Sequence, residues 1–131
     1  MSVDEYGIGS FVLRGVTVRG SVLVFPTFAL KWNVDRPEQI SPQSLVALQL
    51  LHPRPEFLLL GLGNGRILPP DVFMALRQMR IPFEVADTPT ALNTFNVLNA
   101  EGRLVCAGLL PVTQLNKQKS GGSKMSSESP V

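Results

Sequence analysis

"FLLLGLGNGRILPPDVFMALRQM", residues 57–79, runs an unbroken apolar segment into three alternately spaced glycines and then, past two prolines, into helical spacing. Without alternation, the segment at 56–62 reads as a strand covered on both faces of a sheet. Pro69 and Pro70 open a helix whose positions Val72, Phe73, Leu76 and Met79 share one face, and Pro82 closes it. "FEVA", residues 83–86, is the next strand. Thr88 and Pro89 supply a cap-then-proline start for another helix, with Ala91, Leu92, Phe95 and Leu98 as its buried stripe and Gly102 as its stop. "RLVCAGLL", residues 103–110, is the last strand. This C-terminal half therefore reads βαβαβ, and right-handed crossovers make the strands at 57 and 83 parallel.

The glycines invite comparison with a phosphate cradle, and the spacing argues against one. A dinucleotide fingerprint needs G-x-G-x-x-G running straight into a helix, whereas Gly61, Gly63 and Gly65 are followed by a loop and two prolines that lack backbone N–H donors. No Gly-Lys-Ser/Thr follows, so a P-loop fails as well. The glycines read as backbone geometry that lets the chain leave a crowded sheet. Topology still assembles a candidate site. Parallel strands end at one edge, which places Gly61, Gly63, Asn64 and Arg66 near Asp87 and Thr88, with Arg66 positioned to hold an anion. Asn96 lies eight residues into its helix from Thr88, about 12 Å along the axis, outside that group.

Upstream, "SFVLRGVTVRGSVLVF" alternates apolar and polar residues between Gly15 and Gly20, the pattern of an antiparallel meander. "FALKWNV", residues 28–34, is a further extended piece whose Trp32 needs a partner for its indole N–H. "SPQSLVALQLLHP" reads as a helix beginning at Ser41 and Pro42 and ending before Pro53. The whole is α/β with a β-rich N-terminal part: one domain over residues 1–112, then a polar tail over 113–131 too poor in aliphatic residues to fold by itself.

Composition narrows the function. The chain is 131 residues long, 44% hydrophobic and 17% charged, which suits a packed domain. Residues 1–116 carry nine Lys and Arg against nine acids, so the basic surplus comes from Lys117, Lys119 and Lys124 against Glu128. The folded part offers no net charge for nucleic acid. The one cysteine, Cys106, lies in an apolar strand with no Cys or His at ligand spacing. His52 stands at a helix end without an acid at motif spacing, and no serine sits in G-x-S-x-G. The residues compose no catalytic constellation, no metal site and no cofactor site. No apolar run reaches the roughly 18 residues of a membrane helix. "MSVDEYGIGS" has two acids and no arginine, unlike a secretory signal or a mitochondrial presequence.

Several segments follow a family pattern in order: "YGIGSF", "GSVLVFP", "WNV", a strand ending "LLLGLG", and "VADTPTALNTFNVLNAEGR". The chain resembles, over about residues 6–111, the family that contains the mitochondrial complex I assembly factor 3 and its proteobacterial relatives. The most specific part is met by Asp87, Thr88, Ala91, Thr94, Phe95, Asn96, Glu101, Gly102 and Arg103. The resemblance implies a three-layer fold around a mixed sheet and a non-enzymatic role in assembling the respiratory NADH:ubiquinone oxidoreductase. It further implies binding to complex I subunits and a second assembly factor, at the matrix side of the inner mitochondrial membrane or in the cytoplasm of a bacterium. It brings no catalytic residue. Exposed apolar residues of the meander and the Trp32 region would serve such docking. The alternative is a small-ligand or anion-binding protein or enzyme using the loop Gly61 to Arg66 beside Asp87 and Thr88.

Overall fold

The computed structural model describes residues 1–46 and 54–115. Three short strands, β1 (Val3–Gly7), β2 (Ser10–Leu13) and β3 (Val16–Arg19), form an antiparallel sheet. The β2–β3 turn places Arg14 and Gly15 both at positive φ, the two-residue turn whose twist matches paired strands. The meander then breaks. Only Gly20, at φ +87°, separates β3 from β4 (Ser21–Val24), too short for a hairpin loop, so the chain turns a corner into a second sheet.

That second sheet has the order β5–β4–β8–β6–β7, with β5 at Ala29–Trp32, β6 at Phe57–Leu62, β7 at Phe83–Ala86 and β8 at Val105–Leu110. Strand β6 is parallel to both β7 and β8, as the βαβαβ reading requires. The last strand lies at the centre, antiparallel to β4 on its other side, which makes the sheet mixed. Helix α1 (Pro70–Gln78) joins β6 to β7, and α2 (Thr88–Ala100) joins β7 to β8, back across β6. Because the two crossovers run in opposite directions with the same hand, their helices fall on opposite faces.

The core follows. Leu58, Leu60 and Leu62 of β6 pack with Val72 and Leu76 of α1 and with Trp32, Val34, Ile40 and Leu45. Leu59 faces the other way, toward Ala91, Leu92 and Phe95 of α2 and toward Val3, Phe11 and Leu13 of the first sheet. Covered faces on both sides explain the missing alternation in β6. The layers are α1, central sheet, and α2 with the small sheet. Among the described residues no helix is long and apolar enough to cross a membrane.

Two expectations need adjustment. Phe73 is 42% exposed and sets its ring edge-on against Phe83 at 5.4 Å, so it guards the sheet edge instead of entering the core. The helix expected from Ser41 begins with a 3₁₀ turn at Gln43–Leu45 and turns α-helical at Val46, and its remainder, with His52, lies outside the described residues. The expected tail is likewise described only through Leu115.

Gly108 in β8 makes the central sheet thin enough for the only tryptophan: a Cβ there would lie 2.9 Å from Trp32 Cζ3 and 3.1 Å from Leu60 Cδ2. Gly108→Ala is expected to lower unfolding free energy by about 1–3 kcal/mol, as overpacking does, and to shift Trp32 fluorescence. Urea titration monitored by that fluorescence measures both.

Candidate functional site

At the carboxyl edge of β6 and β7 the chain departs to opposite faces, the arrangement that opens a crevice in α/β sheets. Here Thr88 fills its floor. Its residue is fully buried, its hydroxyl accepts the Gly63 N–H at 2.8 Å and donates to the Leu110 carbonyl, and its own N–H donates to Gly63 O at 2.9 Å. Gly61 permits the approach, since a Cβ there would meet Thr88 Cα at 2.9 Å and Thr88 Oγ1 at 3.0 Å. Gly63 adopts φ +69°, and its missing Cβ leaves room for the Pro111 carbonyl.

Asp87, at 19% side-chain exposure, is the helix cap: it accepts from Thr90 N at 2.9 Å. The cap-then-proline reading is thereby moved back one residue, with Thr88 and Pro89 inside the first turn. Arg66 Nη2 approaches Asp87 Oδ2 at 3.2 Å, and the Arg66 side chain is 66% exposed. Partial burial acts to raise the Asp87 carboxyl, but hydrogen bonds from Thr90 and from Arg66, with the guanidinium charge, outweigh it and hold the pKa below its ordinary value. A carboxylate so held is a weak base.

The structure thus brings Gly61, Gly63, Asn64, Arg66, Asp87 and Thr88 together, as the topology predicts. The donors that the expected anion would seek have partners within the chain. The Gly63 N–H is taken by Thr88, the helix N-terminus is taken by the Asp87 carboxylate, and Arg66 is paired. Trp32 is elsewhere. It is 5% exposed on the α1 side of the sheet, its indole donating to Ser44 O at 2.9 Å, so it is a core anchor and offers no docking surface.

Around Asp87 lies a cleft of about 340 Å³ lined by Tyr6, Gly63, Asn64, Asp87, Pro89, Thr90 and Asn93. Sequence reasoning missed Tyr6 and Asn93 because neither lies in the βαβ segment joining β6 to β7. Asn64 belongs to the group that the topology gathers, but its role could not be read from that. Its Oδ1 accepts from Thr113 N at 2.7 Å, Thr113 Oγ1 at 3.0 Å and Gln114 N at 3.2 Å, while its Nδ2 donates to Gln114 O at 2.9 Å. One amide therefore pins the segment that follows β8. Asn96 does the same for β1, accepting from Val3 N at 3.0 Å and donating to Val3 O at 2.9 Å. Among the described residues no three His, Cys, Asp or Glu side chains stand as a metal cluster. Burial pushes the Cys106 thiol up to about 12, so it carries no thiolate.

Comparison with known proteins places this architecture. A family model described as "Protein of unknown function (DUF498/DUF598)" matches residues 3–110. The Bos taurus protein named NADH dehydrogenase (ubiquinone) 1 alpha subcomplex assembly factor 3 is 38% identical over 112 residues, covering 85% of this chain. The chain spans 61% of that relative's length. An uncharacterized Rhodobacter capsulatus protein is 32% identical over 113 residues, 86% of each. A Bordetella parapertussis crystal structure superposes with a TM-score of 0.74 at 34% identity, covering 84% of this chain and 94% of that one. The resemblance carried by "YGIGSF" through "VADTPTALNTFNVLNAEGR" is thus a true kinship.

Thr88→Val should leave the Gly63 N–H and the Leu110 C=O unpaired in the interior, costing about 1–3 kcal/mol for each orphaned group; Thr88→Ser, which keeps the oxygen, should cost clearly less by urea denaturation. Asp87→Asn keeps a capping side chain and removes the charge. Because the folded Asp87 pKa is depressed, its contribution is present above the unfolded value of about 3.9 and is lost as pH falls through the folded value. The stability difference between wild type and Asp87→Asn, measured from pH 7 downward, should therefore shrink below about pH 4.

Proposed function

The chain belongs to the DUF498/DUF598 family, and from that premise we propose that it acts without catalysis, as a protein-binding factor in the assembly of respiratory complex I. The observation that carries the reading is the assembly-factor name borne by its 38% identical relative. The geometry supports it. Asp87, Thr88, Asn96 and Arg103 of the family pattern are engaged in folding contacts: a helix cap, a buried knot, a strand clamp, and an ion pair from Arg103 Nε to Glu56 Oε1 at 2.5 Å. In this reading these side chains serve the frame and not a reaction.

Docking is left to the surface. Ile67 is 86% exposed, and Phe73 and Met74 of α1 are 42% and 58% exposed, apolar area of the kind that contacts partners use. The partners in this reading are complex I subunits and a second assembly factor. The setting is the matrix side of the inner membrane in a eukaryote, or the cytoplasm if the chain is bacterial. The small-ligand alternative rests on the shared strand edge, which is kept here, but the Gly63 N–H it would use is bonded to Thr88 and Arg66 contacts Asp87.

In the organism that encodes the chain, its deletion should lower assembled complex I on native gels, and capture of the tagged chain should recover complex I subunits. Normal complex I abundance in the deletion strain would refute the role.

A further inference from the structure

We propose that the cleft at the carboxyl edge of the sheet is a docking site for a lysine or arginine side chain of a partner protein. The inference rests on the protein-binding role proposed above and adds the chemistry of one contact. The cleft is built from three chain segments, each fixed by hydrogen bonds: β1 through Asn96, the loop after β6 through Thr88, and the start of α2 through Asp87. A preformed cleft keeps the ordering cost of binding small. At about 340 Å³ it sits at the low end of ligand-site volumes, room for one long side chain and adjoining backbone.

Its charge selects the occupant. Of the lining residues only Asp87 is an acid, and none is Lys, Arg or His. Arg66 does not line the cleft and reaches Asp87 by a single 3.2 Å contact from an exposed side chain, a weak surface pair. Asp87 Oδ1 accepts from Thr90 N and Oδ2 from Arg66, and the Thr90 side chain also bonds the carboxyl, so an incoming cation reaches Asp87 by displacing the exposed Arg66 contact. Tyr6, 37% exposed, offers a ring against which an alkyl stem or a guanidinium lies. The Asn93 amide, exposed and without a hydrogen-bond partner among the described residues, adds a carbonyl acceptor. An anion would face the Asp87 carboxylate.

The test is an amide NMR titration of the full chain with N-acetylarginine amide. Saturable shifts are expected at Tyr6, Gly63, Asn64, Thr90 and Asn93, weakening as salt rises. Asn93→Lys, at an exposed helix position, should weaken binding at least about fivefold by like-charge repulsion and leave the remaining spectrum unchanged. Inorganic phosphate and N-acetylglutamate amide should leave these signals in place. Absence of saturable shifts, equal shifts with phosphate, or unweakened binding by Asn93→Lys each overturns the proposal. So does binding of free arginine without binding of its blocked form, which would mark a metabolite site. In capture experiments Asn93→Lys should lose complex I subunits that the wild type retains. Full retention by the variant overturns the docking site and leaves the assembly role standing, whereas a wild type that captures none sinks that role while the titration still decides the cleft.

Discussion

The edge of this fold depends on the buried hydroxyl of Thr88. Through it the exit of β6, the entry of α2 and the end of β8 share one hydrogen-bonded point: Gly63 donates to it and it donates to Leu110. A hydroxyl in an apolar interior is costly unless both its functions are met, and here both are. The contact exists only because Gly61 has no Cβ to hold Thr88 away. Sequence positions that look like a flexible nucleotide loop are therefore a rigid corner. The same corner fixes Asp87, and so the one charged wall of the cleft.

Rigidity at that edge is extended by amide side chains acting as surrogate strands. Asn96 offers the edge of β1 one donor and one acceptor, and Asn64 does so for the segment after β8. The parallel bridge between Ile8 and Val112, with Gly9 N donating to Val112 O at 3.0 Å, ties the small sheet to the large one at the same end. A three-stranded sheet with so little area of its own gains its place from these joints and from Val3, Phe11 and Leu13 packing on α2.

Much of this was legible from the sequence. Pro70, Pro82 and Gly102 bracket α1, β7 and α2 because each imposes a backbone constraint that no tertiary contact reverses. The six residues gathered at the strand edge, Asn64 among them, followed from parallel pairing alone. What could not be read is what depends on distant partners. An apolar run such as "VCAGLL" fits a parallel or an antiparallel neighbour equally, so the central place of β8 was hidden. The break at Gly20 was hidden because a lone glycine resembles a hairpin turn until the missing second turn residue is noticed. Trp32 reads as a core anchor that could also serve docking, and the residue that decides for burial is Gly108, in the last strand.

The family pattern D-T-x-x-A-x-x-T-F-N gains a physical meaning from these contacts. Asp87 caps, Thr88 knots, Ala91 and Phe95 are buried against the sheet and Asn96 clamps β1, so five of its positions fix how α2 sits between the two sheets. A pattern that answers to architecture does not by itself mark a reaction centre. In the docking proposed above, recognition would fall to residues between and beside these positions, such as Asn93 and Tyr6, whose side chains are exposed. Such residues can change with the partner while the frame that presents them stays the same.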